Sequence, residues 1–170
     1  PHPYTSGMSD VTLSRLFRHM AWANNQVFTK LSTLPEDALS FSAWNPEWTV
    51  GKIANHIVIA QGRLISRLEK QSAPEEHEFP YTSNGMKELT AKSAINDAKI
   101  QTLIDAPEEM LTFIRYGETV SYLSTTVIAQ LVHHATEHRA QISDILAFNK
   151  MDVINLDDYD LWSFERSERS

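Results

Sequence analysis

Four stretches of this chain repeat apolar residues every three or four positions, the pattern of amphipathic helices that each bury one face. The first begins at Asp10 and runs through Leu13, Leu16, Phe17, Met20, Val27, Phe28 and Leu31. Asn24 falls on the same stripe, so its amide must find interior partners or cost about 1 to 3 kcal/mol; it is either structural glue or lining of a site. Pro35, Pro46 and the stretch from Trp44 to Trp48 interrupt the pattern. Thr49 is then placed to cap a second helix with its seam at Ile53, Ile57, Ala60, Leu64 and Leu68. His56 sits on that seam. Val58, Ile59 and Ile65 lie off it, an excess of apolar surface that points to a second subunit and hence a homodimer.

Pro74 and Pro80 bracket a loop in which His77 stands among Glu75, Glu76 and Glu78, most simply a solvated segment. Ser83 is the expected cap of a third helix reaching about Ala106, with Met86, Leu89, Ile100, Leu103 and Ile104 inward and Ser93 and Asn96 weakening the stripe. Pro107 ends it. Leu111 to Leu123 turns β-like, with Tyr116 and Gly117 at a hairpin turn between short extended runs. Ser124 or Thr125 is expected to cap a fourth helix whose face reads Val127, Leu131, His134, His138, Ile142, Ile145 and Leu146, stopping near Asn149. Tyr159, Trp162 and Phe164 make the tail too aromatic to stay solvated, so it is expected to pack back on the helices. With no repeat and no parallel-sheet alternation, the predicted fold is all-α. It is a four-helix bundle with a short extended segment before the last long helix, and its loops are long enough for a crossover.

A chain of 170 residues suits one domain, assigned to residues 8–170. Pro1 to Gly7, with two prolines and a histidine ahead of Met8, read as a cloning remnant, and His2 is set aside. A net charge of −7 without clustered Lys and Arg argues against binding nucleic acid or anionic lipid. No apolar run nears the roughly 20 residues that span a bilayer, so no membrane association and a cytoplasmic location are expected. The chain has no cysteine, which excludes disulfides, thiolate ligands and a cysteine nucleophile; a metal site must use His, Asp or Glu.

His134 and His138 stand one helical turn apart, so their rings aim at one place and can share an ion. The spacing alone is weak among seven histidines. What strengthens it is that both fall on an apolar face, where unmatched imidazoles are costly without a common partner. His56 is the only other histidine on the seam of a different long helix, and facing helices are where such sites are assembled. Three neutral nitrogens plus water form the open arrangement of catalytic zinc, and imidazole also suits nickel, iron or copper. His133 and Glu137 point away from the ligands and read as surface residues. Gln141 lies near the ligand face as a hydrogen-bonding supporter, Arg139 reads as exposed or ion-paired, and His19 as a boundary residue.

The run Leu131-Val-His-His-Ala-Thr-Glu-His-Arg-Ala-Gln-Ile142 resembles the last-helix signature of the DinB/YfiT-like family, in which a histidine four residues ahead of His-Arg-Gly-Gln binds metal. Asn55-His56 is similar to that family's first-ligand segment, Ala21-Trp22-Ala23-Asn24 to its Trp-Ala-Asn motif, and Leu156-Asp157-Asp158-Tyr159 to its closing segment. The resemblance covers Leu13 to Tyr159; Ala140 stands where glycine is usual. It implies a four-helix bundle, often dimeric, holding zinc or nickel on three histidines, with thiol-dependent S-transferases and a thiol-dependent isomerase among its characterised branches. The leading expectation is therefore a metal-dependent S-transferase acting on a small-molecule substrate with a low-molecular-weight thiol. The alternatives are a metal-dependent hydrolase and a non-catalytic metal- or ligand-binding bundle.

Overall fold

The computed structural model describes residues 11–169, so the expected remnant at residues 1–7 and the start at Asp10 lie outside the described residues. Four long helices carry the fold: α1 (Val11–Ser32), α2 (Val50–Leu68), α3 (Ser83–Gln101) and α4 (Ser124–Phe148). A hairpin of β1 (Met110–Arg115) and β2 (Glu118–Leu123) precedes α4, and a short α5 (Leu161–Arg169) follows it. The protein is thus mostly helical with one small two-stranded sheet. No helix among the described residues is long and apolar enough to cross a membrane.

The apolar stripes meet in one core, where Phe17, Phe28, Ile53, Ile57, Met86, Leu89, Leu131 and Ile142 are all buried. The most extensive helix pairs are α1 with α3 and α2 with α4, followed by α2 with α3 and α1 with α4. Each long helix therefore has two main neighbours, and its successor in sequence need not be one. The seam between α2 and α4 brings His56 to His134 and His138.

Helix starts agree with expectation at α2 and differ at α3 and α4. Thr49 caps α2, its side chain accepting from Lys52 N at 3.2 Å. α3 is capped by Thr82, which accepts from Gly85 N at 3.0 Å, rather than by Ser83. Ser83 is already helical, and its hydroxyl donates to Ser32 O at 2.6 Å, tying the end of α1 to the start of α3. Gly85 is needed here because a Cβ would lie 2.0 Å from Pro80 O. α3 ends at Gln101 rather than near Ala106, although Ile104 remains buried in the turns that follow. α4 has Leu123 at its cap position with no side-chain cap. Both expected caps are diverted to the chain before β1: Ser124 Oγ accepts from Glu109 N at 3.1 Å, and Thr125 Oγ1 donates to Glu108 at 2.5 Å. Asn149 closes α4, donating to Ile145 O at 2.9 Å and Ser42 O at 3.0 Å.

The hairpin turn is the expected Tyr116-Gly117 pair. Both have positive φ, 52° and 83°, the backbone of a two-residue turn that matches strand twist. The tail packs back in part: Phe164 is buried and lies 5.6 Å from the Trp22 ring, and Tyr159 is half-buried. Trp162, expected to share this packing, is 73% exposed because it falls on the outer side of α5.

The off-seam residues of α2 do not form an exposed face. Val58 and Ile65 are buried in the chain's own core, and Ile59 is half-buried. The three line a groove together with Ile95 and Asn96 of α3 and with Pro74 and Phe79 of the α2–α3 connection. Asn55 ties that connection down, its amide donating to Phe79 O at 3.1 Å and accepting from Phe79 N at 2.7 Å. A second apolar side of α2 was visible in sequence; the chain's own α3 covers it.

Candidate metal centre

Thr49 starts α2 with His56 about two turns inside it. His134 and His138 share one face of α4, which packs on α2. The three rings are half-buried at this seam rather than sealed in the core. His134 Nε2 lies 3.0 Å from His56 Nε2 and 3.1 Å from His138 Nε2. Ring centroids are 4.8 Å apart for His56 and His134, 4.7 Å for His56 and His138, and 4.3 Å for His134 and His138. One nitrogen from each ring falls within 4.8 Å of the others, an arrangement able to hold a metal ion.

Burial keeps lone pairs on the His56 and His134 nitrogens. Burial first, then the charge of His138 and of Arg63 and Lys52, pulls the His56 pKa down to about 4. Burial and repulsion from His138 and His56 pull His134 down to about 3. Both rings are neutral at neutral pH, the state that donates to a metal. Hydrogen bonding among the rings cannot satisfy them. Each close pair needs one hydrogen and one lone pair, and His134 Nε2 belongs to both close pairs. A cation facing three lone pairs removes that conflict, so the donor set fits a divalent ion.

Two further side chains complete the surroundings. Gln141 Oε1 lies 2.7 Å from His138 Nδ1, and it accepts from Trp48 Nε1 at 3.1 Å. The Trp48 ring stands edge-on, 5.1 Å from His56 and 5.7 Å from His138. Sequence reasoning treated Trp48 only as part of an interrupting loop. Its one local signal was position, immediately before the Thr49 cap of a histidine-bearing helix. Lys52 and Arg63, near enough to act on His56, are paired with Glu78 at 2.8 Å and Glu76 at 2.6 Å.

Asn24 goes elsewhere. It is fully buried, and its Oδ1 accepts from Arg139 at 2.6 Å while its Nδ2 has no partner. Arg139 is correspondingly not an exposed helix residue but 4% exposed, with Thr136 as a second acceptor at 3.2 Å. Asp97 acts on it from α3 and is itself buried, accepting from Gln61 at 2.8 Å and Ser93 at 3.2 Å. These residues form a polar layer drawn from all four long helices, which accounts for the weak apolar stripe of α3. His133 and Glu137 pair with each other at 3.2 Å on the exposed side of α4. His77 packs on Phe79 in the exposed loop. His19 is half-buried, its Nε2 2.8 Å from Tyr159 O.

A family model described as the DinB family matches residues 8–147, most of the chain. No curated protein matches it.

Proposed function

The chain belongs to the DinB family, and from that premise we propose a metal-dependent S-transferase built on a four-helix bundle. In this reading His56, His134 and His138 hold one divalent ion, zinc or nickel, and a low-molecular-weight thiol is joined to an electrophilic small molecule. The observation that carries it is the convergence of three Nε2 atoms, with His134 at 3.0 and 3.1 Å from the other two. When bound, the ion supplies the positive charge that lowers the pKa of a thiol. The chain's own residues keep the His56 and His134 rings neutral by burial, hold His138 through Gln141, and wall the site with Trp48. Lys52 and Arg63 stand near the site, their charge partly offset by their partners Glu78 and Glu76.

Thiol transfer is favoured over hydrolysis by what stands nearest the rings. Neither the Trp48 indole nor the Gln141 amide titrates to take a proton, and a thiol, with a free pKa of about 8.5 against 15.7 for water, loses its proton to solvent with the least help from the ion. The test is to reconstitute metal-free protein with zinc or nickel, measure bound metal, and screen thiols against electrophiles. Turnover should require both metal and thiol and disappear in His134→Ala. Ester or amide hydrolysis without thiol would make the protein a hydrolase, and metal binding without any turnover would make it a binding module.

A further inference from the structure

The two side chains around His138 are joined in a way that fixes more than its position. Trp48 Nε1–H is a donor with no accepting capacity, so the group it meets on Gln141 at 3.1 Å must be the amide oxygen. That same oxygen lies 2.7 Å from His138 Nδ1. An oxygen accepts, so His138 Nδ1 must carry the hydrogen. A neutral ring has only one, which leaves His138 Nε2 bare at 3.1 Å from His134 Nε2.

We propose that Trp48 and Gln141 form a hydrogen-bonded relay that locks His138 as its Nδ1–H tautomer, so that its Nε2 lone pair already faces His56 and His134 before an ion arrives. Both are positioning residues that act through His138. An unconstrained neutral histidine favours hydrogen on Nε2, the nitrogen needed here as a donor, so an unheld His138 must change tautomer to bind. Gln141 alone would not enforce the choice, because an amide turned end for end offers N–H to Nδ1 and selects the opposite tautomer. Trp48 prevents that turn. It comes from the segment before α2 and Gln141 from α4, 93 residues later, so the relay also links the two elements that carry the ligands.

The inference rests on the proposed metal centre for its purpose but is read without metal. In metal-free protein with 15N-labelled histidine, long-range proton–nitrogen correlation at neutral pH distinguishes a protonated from a bare ring nitrogen. His138 should show a protonated Nδ1 and a bare Nε2. Gln141→Leu should move His138 toward the Nε2–H tautomer and weaken calorimetric zinc binding about 10- to 100-fold. Gln141→Glu, which still accepts from both donors, should keep the tautomer and bind zinc within a few-fold of wild type. Trp48→Phe keeps a ring beside His56 and His138 but deletes the N–H, and should give a mixture of tautomers. A wild-type His138 with hydrogen on Nε2 overturns the relay, and this spectrum decides even if a variant does not fold. Wild-type tautomer and affinity in Gln141→Leu would overturn it too. A wild type that binds no zinc would instead remove the proposed centre, a failure distinct from a wrong tautomer in a protein that binds.

Discussion

Nε2 of His56 and Nε2 of His134 stand 3.0 Å apart across 78 residues of sequence. At that distance only one hydrogen fits between them, so the pair cannot be doubly protonated without moving apart. The packing of α2 on α4 holds the rings in place, and His138, one turn further along α4, adds a third nitrogen that makes full mutual hydrogen bonding impossible. The folded chain thus maintains three nitrogens in an arrangement able to hold a metal ion.

One divalent ion should bind per chain. His134→Ala or His138→Ala should each weaken zinc binding by more than about 100-fold, since two remaining nitrogens hold an open site poorly. His77→Ala should bind as wild type, because that ring packs on Phe79 in the α2–α3 connection. Calorimetry with elemental analysis checks this, and a His134→Ala/His138→Ala double variant with full occupancy would sink the assignment.

The start of α3 makes a test of the fold. Thr82→Ala removes the acceptor for Gly85 N and should cost about 1 kcal/mol, while Thr82→Ser should cost only a few tenths. Gly85→Ala should cost about 1 to 3 kcal/mol or more, because its Cβ would have to displace the Pro80 carbonyl, 2.0 Å away. Urea unfolding of the three variants measures these losses, and a Gly85→Ala protein as stable as wild type would contradict the close approach.

What the sequence made legible was whatever depends on neighbours three or four residues away. The stripes of α1, α2 and α4, the Thr49 cap, the Tyr116-Gly117 turn and the shared face of His134 and His138 are all local patterns. The misses each turn on a distant partner. Arg139 is buried because Asn24, 115 residues earlier, accepts from it. Val58 and Ile65 are covered because α3 and the connection before it fold over them. Trp48 joins the site through Gln141, 93 residues away, and Ser83 lies inside the helix that Thr82 caps, its own hydroxyl donating to Ser32 O, 51 residues earlier. Periodicity identifies which face is apolar without identifying what covers it.

Arg139 and Asp97 should prove coupled. Burial draws the Arg139 pKa down to about 10 and raises Asp97 to about 6, while each charge offsets part of the other's burial. Arg139→Met leaves Asn24 Oδ1 without its donor and removes a cation that acts on Asp97 through space, and should cost about 1 to 3 kcal/mol. Adding Asp97→Asn removes the stranded charge, so the double variant should be more stable than Arg139→Met alone. A double-mutant cycle by urea unfolding reads the coupling, and strictly additive losses would mean the two groups do not sense each other.

Acid should destabilise the protein even without metal, in a window set by the histidines. His56 and His134 have folded pKa values of about 4 and about 3, below the ordinary 6.5. Below pH 6.5 the unfolded chain therefore takes up protons that the folded chain refuses, and stability falls with falling pH. The contribution is complete above about pH 6.5 and declines progressively toward pH 4 and then 3. Asp97 works in the opposite sense. Its folded pKa of about 6 exceeds the ordinary 3.8, so the folded state gains protons more readily between these values and is relatively stabilised by acid. The histidine effect is separated by replacing both His56 and His134 with Gln, which leaves Asp97 in place. In the presence of chelator, wild-type urea midpoints should fall more steeply from about pH 6.5 to 4 than those of the double variant, in which His19, its pKa itself lowered by burial, still contributes. Zinc should raise the wild-type midpoint at neutral pH and lose that effect toward about pH 4, where protons begin to compete for the His56 nitrogen. Parallel pH profiles for the two chelated proteins would show that the close-packed rings are not held neutral by the fold.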